Sequence, residues 1–180
     1  MKVYPFRFNI YLTLIAALTL LPACHSDHDG KEDKQMSVLR VHIESNVDPA
    51  GTSQTVSVLR TDPVSFTVQK EPILTEANLL AARVLDAPAG SGFAVELKFD
   101  DLGTSILEQY TASNSGRHLL FFGQWGEKGT DGRWLAALLI SHRMGEGVVS
   151  FTPDMSRDDV YRLVLGLNNM ARTVQKGLMK

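Results

Sequence analysis

Residues 93–110 read Phe-Ala-Val-Glu-Leu-Lys-Phe-Asp-Asp-Leu-Gly-Thr-Ser-Ile-Leu-Glu-Gln-Tyr, and two hydrophobic periods meet inside them. Phe93, Val95, Leu97 and Phe99 alternate with Ala94, Glu96 and Lys98, the period of two that marks a half-buried strand. From Asp100 or Asp101 the period becomes helical, with Leu102, Ile106, Leu107 and Tyr110 along one side, and it stops before Asn114-Ser115-Gly116. Acids at a helix start favour the positive end of the helix dipole. A strand whose apolar face needs covering, followed at once by an amphipathic helix, points to an α+β fold.

Outward from this segment the pattern continues in both directions. On the C-terminal side, Arg117–Phe122 and Arg133–Ile140 read as strands joined by the glycine-rich stretch 123–132, with Trp125 expected near an exposed hairpin tip. A strand near Val148–Phe151 leads to Ser156 and Asp159, spaced as a capping box, and to a helix carrying Val160, Leu163, Val164 and Leu167. On the N-terminal side, Leu39, Val41 and Ile43 alternate with Arg40, His42 and Glu44, which puts His42 toward solvent or a sheet edge. Strands at Thr55–Leu59 and Val64–Val68 flank a turn at Thr61-Asp62-Pro63, suggesting an antiparallel meander. Thr75 is placed to cap a helix with Ala77, Leu80, Ala81 and Val84 on one face, ending before Pro88. The expectation is α+β, a largely antiparallel sheet with about three helices packed on it.

The first 23 residues have a different character. Lys2 and Arg7 precede an uncharged apolar run from Ile10 to Leu21, too short for a permanent span, which needs roughly 20 residues, and patterned as a signal sequence. The run ends in Leu21-Pro22-Ala23-Cys24, which resembles the lipobox of bacterial lipoproteins. The resemblance implies cleavage before Cys24, lipidation of Cys24 as by palmitate and diacylglycerol, and an envelope location facing the periplasm. Two acyl chains suffice for stable attachment where one does not. His25 stands where the usual inner-membrane retention signal of enterobacterial lipoproteins is Asp, favouring the outer membrane. Residues 24–36 are polar and without period, a tether; His25 and His28 in it have no further ligand to close a metal site. Residues 37–180 form one domain of ordinary size.

Beyond the signal the chain carries 16 basic and 20 acidic residues, a formal charge of −4, which argues against a nucleic-acid partner. Cys24 is the only cysteine, so neither an intramolecular disulfide, a thiol nucleophile in the domain nor a cysteine-held metal is available. No Gly-x-Ser-x-Gly elbow is present. His118, in an apolar strand, reads as a satisfied, partly buried histidine, and His142 as a surface residue. The glycines of 123–132 and 145–147 suit turns, not a phosphate cradle. No cofactor and no metal is expected.

Between Pro72 and Asn169 the motifs come in a familiar order: Leu74-Thr75-Glu76-Ala77-Asn78, Val95-Glu96-Leu97-Lys98-Phe99-Asp100 with Gly103, Thr111, Gly116-Arg117, Trp134-Leu135-Ala136-Ala137, Gly147 and Phe151-Thr152. This series resembles the periplasmic head subdomain of the protein-export component SecD and related SecDF proteins. The resemblance implies a head-like domain over residues 72–170 and a surface that meets emerging unfolded chains. No apolar stretch after residue 24 is long enough to span a membrane, so the membrane helices of those translocase subunits have no counterpart here.

The functional expectation is a non-enzymatic, lipid-anchored protein that binds an envelope protein or unfolded polypeptide. Its binding surface is expected at Gln124, Trp125, Arg133 and Trp134, because aromatics and arginine carry interface energy most often. The plainer alternative has Trp134 in the core and Trp125 capping the hairpin. Two other readings stay open: an envelope hydrolase using the carboxylates Asp100, Asp101 or Asp154, and a purely structural lipoprotein.

Overall fold

The computed structural model describes residues 35–86, 92–126 and 131–178. The expected signal sequence, Cys24, His25, His28 and most of the expected tether lie outside the described residues, as does the middle of the 123–132 loop. The folded part reaches back to Gln35, whose side chain donates to Arg162 O at 3.0 Å and whose carbonyl accepts from Asn169 Nδ2 at 2.9 Å.

The elements run β1 (Val38–Ile43), β2 (Ser53–Val58), β3 (Val64–Gln69), β4 (Leu74–Thr75), a 3-10 turn (Glu76–Asn78), β5 (Leu79–Asp86), β6 (Phe93–Phe99), α1 (Asp101–Ser113), β7 (His118–Trp125), β8 (Asp131–Leu139), β9 (Val148–Phe151) and α2 (Arg157–Leu178). Among the described residues the strands form three antiparallel sheets, in the orders β4-β1-β7-β8, β2-β3 and β5-β6-β9. The class is α+β, as the periodicity required. The meander is only partly present: β2 pairs with β3, while β1 pairs with β4 and β7 instead of β2.

The expected first helix is a correction. Thr75 does cap, its hydroxyl accepting from Ala77 N and its own N–H bonding Asn78 Oδ1, but it caps a single 3-10 turn. The chain then enters β5, so two α-helices are present among the described residues, not three. The supposed helical face is not the buried one: Ala77, Leu80 and Ala81 are exposed, whereas Leu79 and Ala82 are buried. Pairing of β5 with β6 along its length, with a register shift after Leu79, supplies the backbone partners of a strand and overrides a weak local helical period.

One core holds the main body together. Leu39, Val41, Leu119 and Phe121 from the four-stranded sheet meet Val95, Leu97 and Phe99 of β6, Leu107 of α1 and Val160, Leu163 and Leu167 of α2. Phe121 and Phe151 stack at 4.1 Å between ring centroids and join the two larger sheets. The β2–β3 hairpin covers the opposite face of the four-stranded sheet through a smaller cluster of Val58, Val68 and Leu120, flanked by Val56, Phe66, Trp134 and Ala137. That cover explains why His42 is not at the surface: it is 4% exposed, its Nδ1–H donates to Gln69 O at 2.8 Å, and its ring stands edge-on to Trp134 at 5.0 Å.

Candidate functional site

The β7–β8 hairpin carries all four residues of the expected surface, and its register decides which of them act together. Gly123 is opposite Arg133 and Trp125 is opposite Asp131, so alternation puts Trp125 and Arg133 on one face. Phe122 is opposite Trp134 and Gln124 opposite Gly132. Gln124 and Phe122 share the other face, since a Cβ on Gly132 would meet Phe122 Cζ at 3.3 Å and Gln124 Cγ at 3.4 Å. Trp134 lies on that face too, edge-on to Phe122 at 5.6 Å and beneath the β2–β3 hairpin.

Trp125 is 3% exposed rather than presented at a tip. Its ring belongs to the main core, and its Nε1–H donates to Asp159 Oδ1 at 3.4 Å. Arg133 lies over that ring, with its guanidinium carbon 5.2 Å from the centroid, a cation–π arrangement. Trp125, Asp131, Gly132, Arg133 and Asp159 line an open cleft of about 380 Å³.

Asp159 reaches this cleft because Ser156 starts α2 beside it. Ser156 Oγ accepts from Asp159 N at 3.2 Å and donates to Asp159 Oδ2 at 2.7 Å. The capping spacing is therefore used, with the return bond made by the serine hydroxyl. That hydroxyl is the main influence holding the Asp159 carboxyl below its ordinary range; burial acts the other way, and Trp125, Arg133 and Arg162 add to the lowering. The spacing Ser156-x-x-Asp159 was the sequence signal for Asp159, but nothing local tied the start of α2 to the β7–β8 hairpin.

Most of the other candidates make structural bonds. Asp100 caps α1, its Oδ1 accepting from Gly103 N at 2.7 Å, and Asp101 is exposed in the first turn. Asp154 accepts from Arg60 N at 2.9 Å and faces the Arg60 guanidinium at 3.3 Å, fastening the β2–β3 turn to the segment after β9. His118 bonds Glu44 Oε2 through Nδ1 at 2.6 Å, and His142 is exposed beside Ser141. Among the described residues no group of three metal-ligating side chains occurs, and no helix is long and apolar enough to cross a membrane.

No family model matches the chain, and no curated protein matches it in sequence. Two of the similar solved structures are of SecDF. One is of SecDF, described as a membrane component that enhances protein export, at 19% identity and a TM-score of 0.53, covering 94% of this chain and 72% of that one. The chain shares its fold with SecDF. The other is SecDF in its super-membrane-facing form, at 21% identity and a TM-score of 0.53, covering 77% of this chain and 20% of that one. This chain thus spans a fifth of that second SecDF structure. At such identity the likeness establishes architecture and leaves function to the residues of the site.

Proposed function

We propose that this is a non-enzymatic envelope lipoprotein, held to a membrane through Cys24, whose SecDF-like domain binds an envelope protein or unfolded polypeptide in connection with protein export. The observation that carries the reading is the shared fold over 94% of the chain with a component that enhances protein export. The cleft beside Trp125 supports it, since a half-buried arginine against a buried indole is the kind of anchor that interfaces use. Attachment by lipid rather than by membrane helices makes the role that of a tethered binder.

The test uses the full chain in detergent with a photocrosslinking residue at Asp131, which is exposed on the same hairpin face as Trp125 and lines the cleft, or at Ser105, on exposed α1. Incubation with a permanently unfolded polypeptide should yield adducts from position 131 and few from 105. Equal yields at the two positions, or none, would sink the reading. Labelling with a radioactive lipid precursor, abolished by Cys24→Ala, checks the anchor separately.

A further inference from the structure

We propose that the cleft beside Trp125 binds one carboxylate of an extended polypeptide on the Arg133 guanidinium. This rests on the polypeptide-binding reading above and names the group recognised.

The first reason is an unfilled donor. Arg133 Nε is buried and has no hydrogen-bond partner, and a buried donor left unmade forfeits its hydration. Among the described residues Arg133 also forms no ion pair, although two aspartates line the same cleft. Asp159 hydrogen-bonds elsewhere, one oxygen to Ser156 and the other to the Trp125 indole, and Arg133 acts on it and on Asp154 through charge alone, with no hydrogen bond or ion pair to either. Asp131, the first residue of β8, is exposed, and water screens its charge.

The second reason is orientation. Trp125 holds one flat face of the guanidinium, so the donor edge is what remains for a ligand. Planar guanidinium donors match the two oxygens of a carboxylate, and the ionised pair is the stronger kind of hydrogen bond. A cleft of about 380 Å³ accommodates a side chain with its flanking backbone rather than a folded domain. Asp131 and Asp159 set the limit on charge: a lone carboxylate in a neutral segment fits, and a run of acids is repelled.

The chain has two tryptophans, so Trp134→Phe leaves Trp125 as the only tryptophan, read by selective excitation at its red edge. The full chain carrying this change, checked by circular dichroism, is titrated with three otherwise neutral peptides. One is blocked at both ends with a single central Glu, one has Gln instead, and one has Gln with a free C-terminus. We expect a carboxylate-bearing peptide to perturb Trp125 emission with a Kd about tenfold below that of the blocked Gln peptide. Whether the Glu or the free-terminus peptide does so tells a side chain from a chain end. Arg133→Lys, which keeps charge and most of the packing, should remove most of the preference, and Arg133→Gln all of it.

Equal binding of all three peptides, or a preference that survives Arg133→Gln in a folded protein, overturns the proposal. If the unfolded polypeptide still crosslinks at position 131 in that case, only the carboxylate assignment fails. If it does not, the binding reading falls as well.

Discussion

Asn168 of α2 pairs with Ala82 of β5 through both halves of its amide: Oδ1 accepts from Ala82 N at 2.9 Å, and Nδ2 donates to Ala82 O at 2.9 Å. β5 is the outer strand of its sheet, and a side chain here takes the place of the next strand, covering an edge that would otherwise invite pairing. Asn168→Ala should cost about 1–3 kcal/mol, the usual range when partly buried backbone groups lose their partner. Urea unfolding with an unchanged m-value is the measurement. Asn168→Asp should do no better than Ala, because a carboxylate has no donor for Ala82 O. A cost near zero for both would mean that α2 does not seal this edge.

His42 makes stability depend on pH in a definite direction. Burial lowers its pKa below 6.5; the Gln69 carbonyl and Glu71 oppose this, and Arg40 adds to it. The folded protein therefore binds the proton less readily than the unfolded chain does. The stabilisation is full above about 6.5 and is lost as pH falls through the lower folded value. Denaturant midpoints at pH 7.5 and 5 should differ more for the parent than for His42→Asn, which keeps a donor for Gln69. An equal drop in the variant would clear His42 of the effect.

Gly147 has φ +68°, and a Cβ there would strike Thr104 on α1. Gly147→Ala should cost about 1–3 kcal/mol from the left-handed backbone alone, plus the clash. Adding Thr104→Ala relieves the second part and not the first, so the double variant should recover some of the loss, measured as a thermodynamic cycle. Recovery of all of it would mean that the backbone conformation is free to relax.

Asp159→Asn at the start of α2 removes the charge that Ser156 and Trp125 hold. An acid in the first turn of a helix contributes about 0.3–1 kcal/mol at neutral pH. The folded pKa of Asp159 lies below the ordinary 3.8, so its stabilisation is present above that value and lost as pH falls through the folded one. The stability gap between parent and variant should therefore close in acid. A gap of constant size from pH 7 to pH 3 would contradict the assignment.

The parts of the fold that were legible are those written in short-range signals. Phe93–Phe99 alternates and forms β6; Asp100 caps α1 and Ser156 begins α2, as their spacing required. Residues 79–86 misled because their helical period is real but unsupported, while β6 on one side and Asn168 on the other supply the backbone partners of a strand. His42 misled because alternation places it opposite Val41 and Ile43 without saying that a hairpin from residues 53–69 covers that side.

The binding surface divides in the same way. That Trp125 and Arg133 belong to one hairpin was written in the strands and glycines around them. Which face Trp134 takes was not, because the register shifts between Phe121 and Phe122, with Leu135 of β8 as the extra residue. Leu135 and Ala136 consequently both enter the main core, while Trp134 and Ala137 join the outer cluster. A bulge reverses alternation on one side of itself. Local periodicity and capping, which act over a few residues, thus determined the α+β class and where most elements begin. The pairing of β5, the burial of His42 and the meeting of Trp125, Arg133 and Asp159 in one cleft were decided only by contacts between segments far apart in the chain, where backbone hydrogen bonds and buried area outweigh local preference.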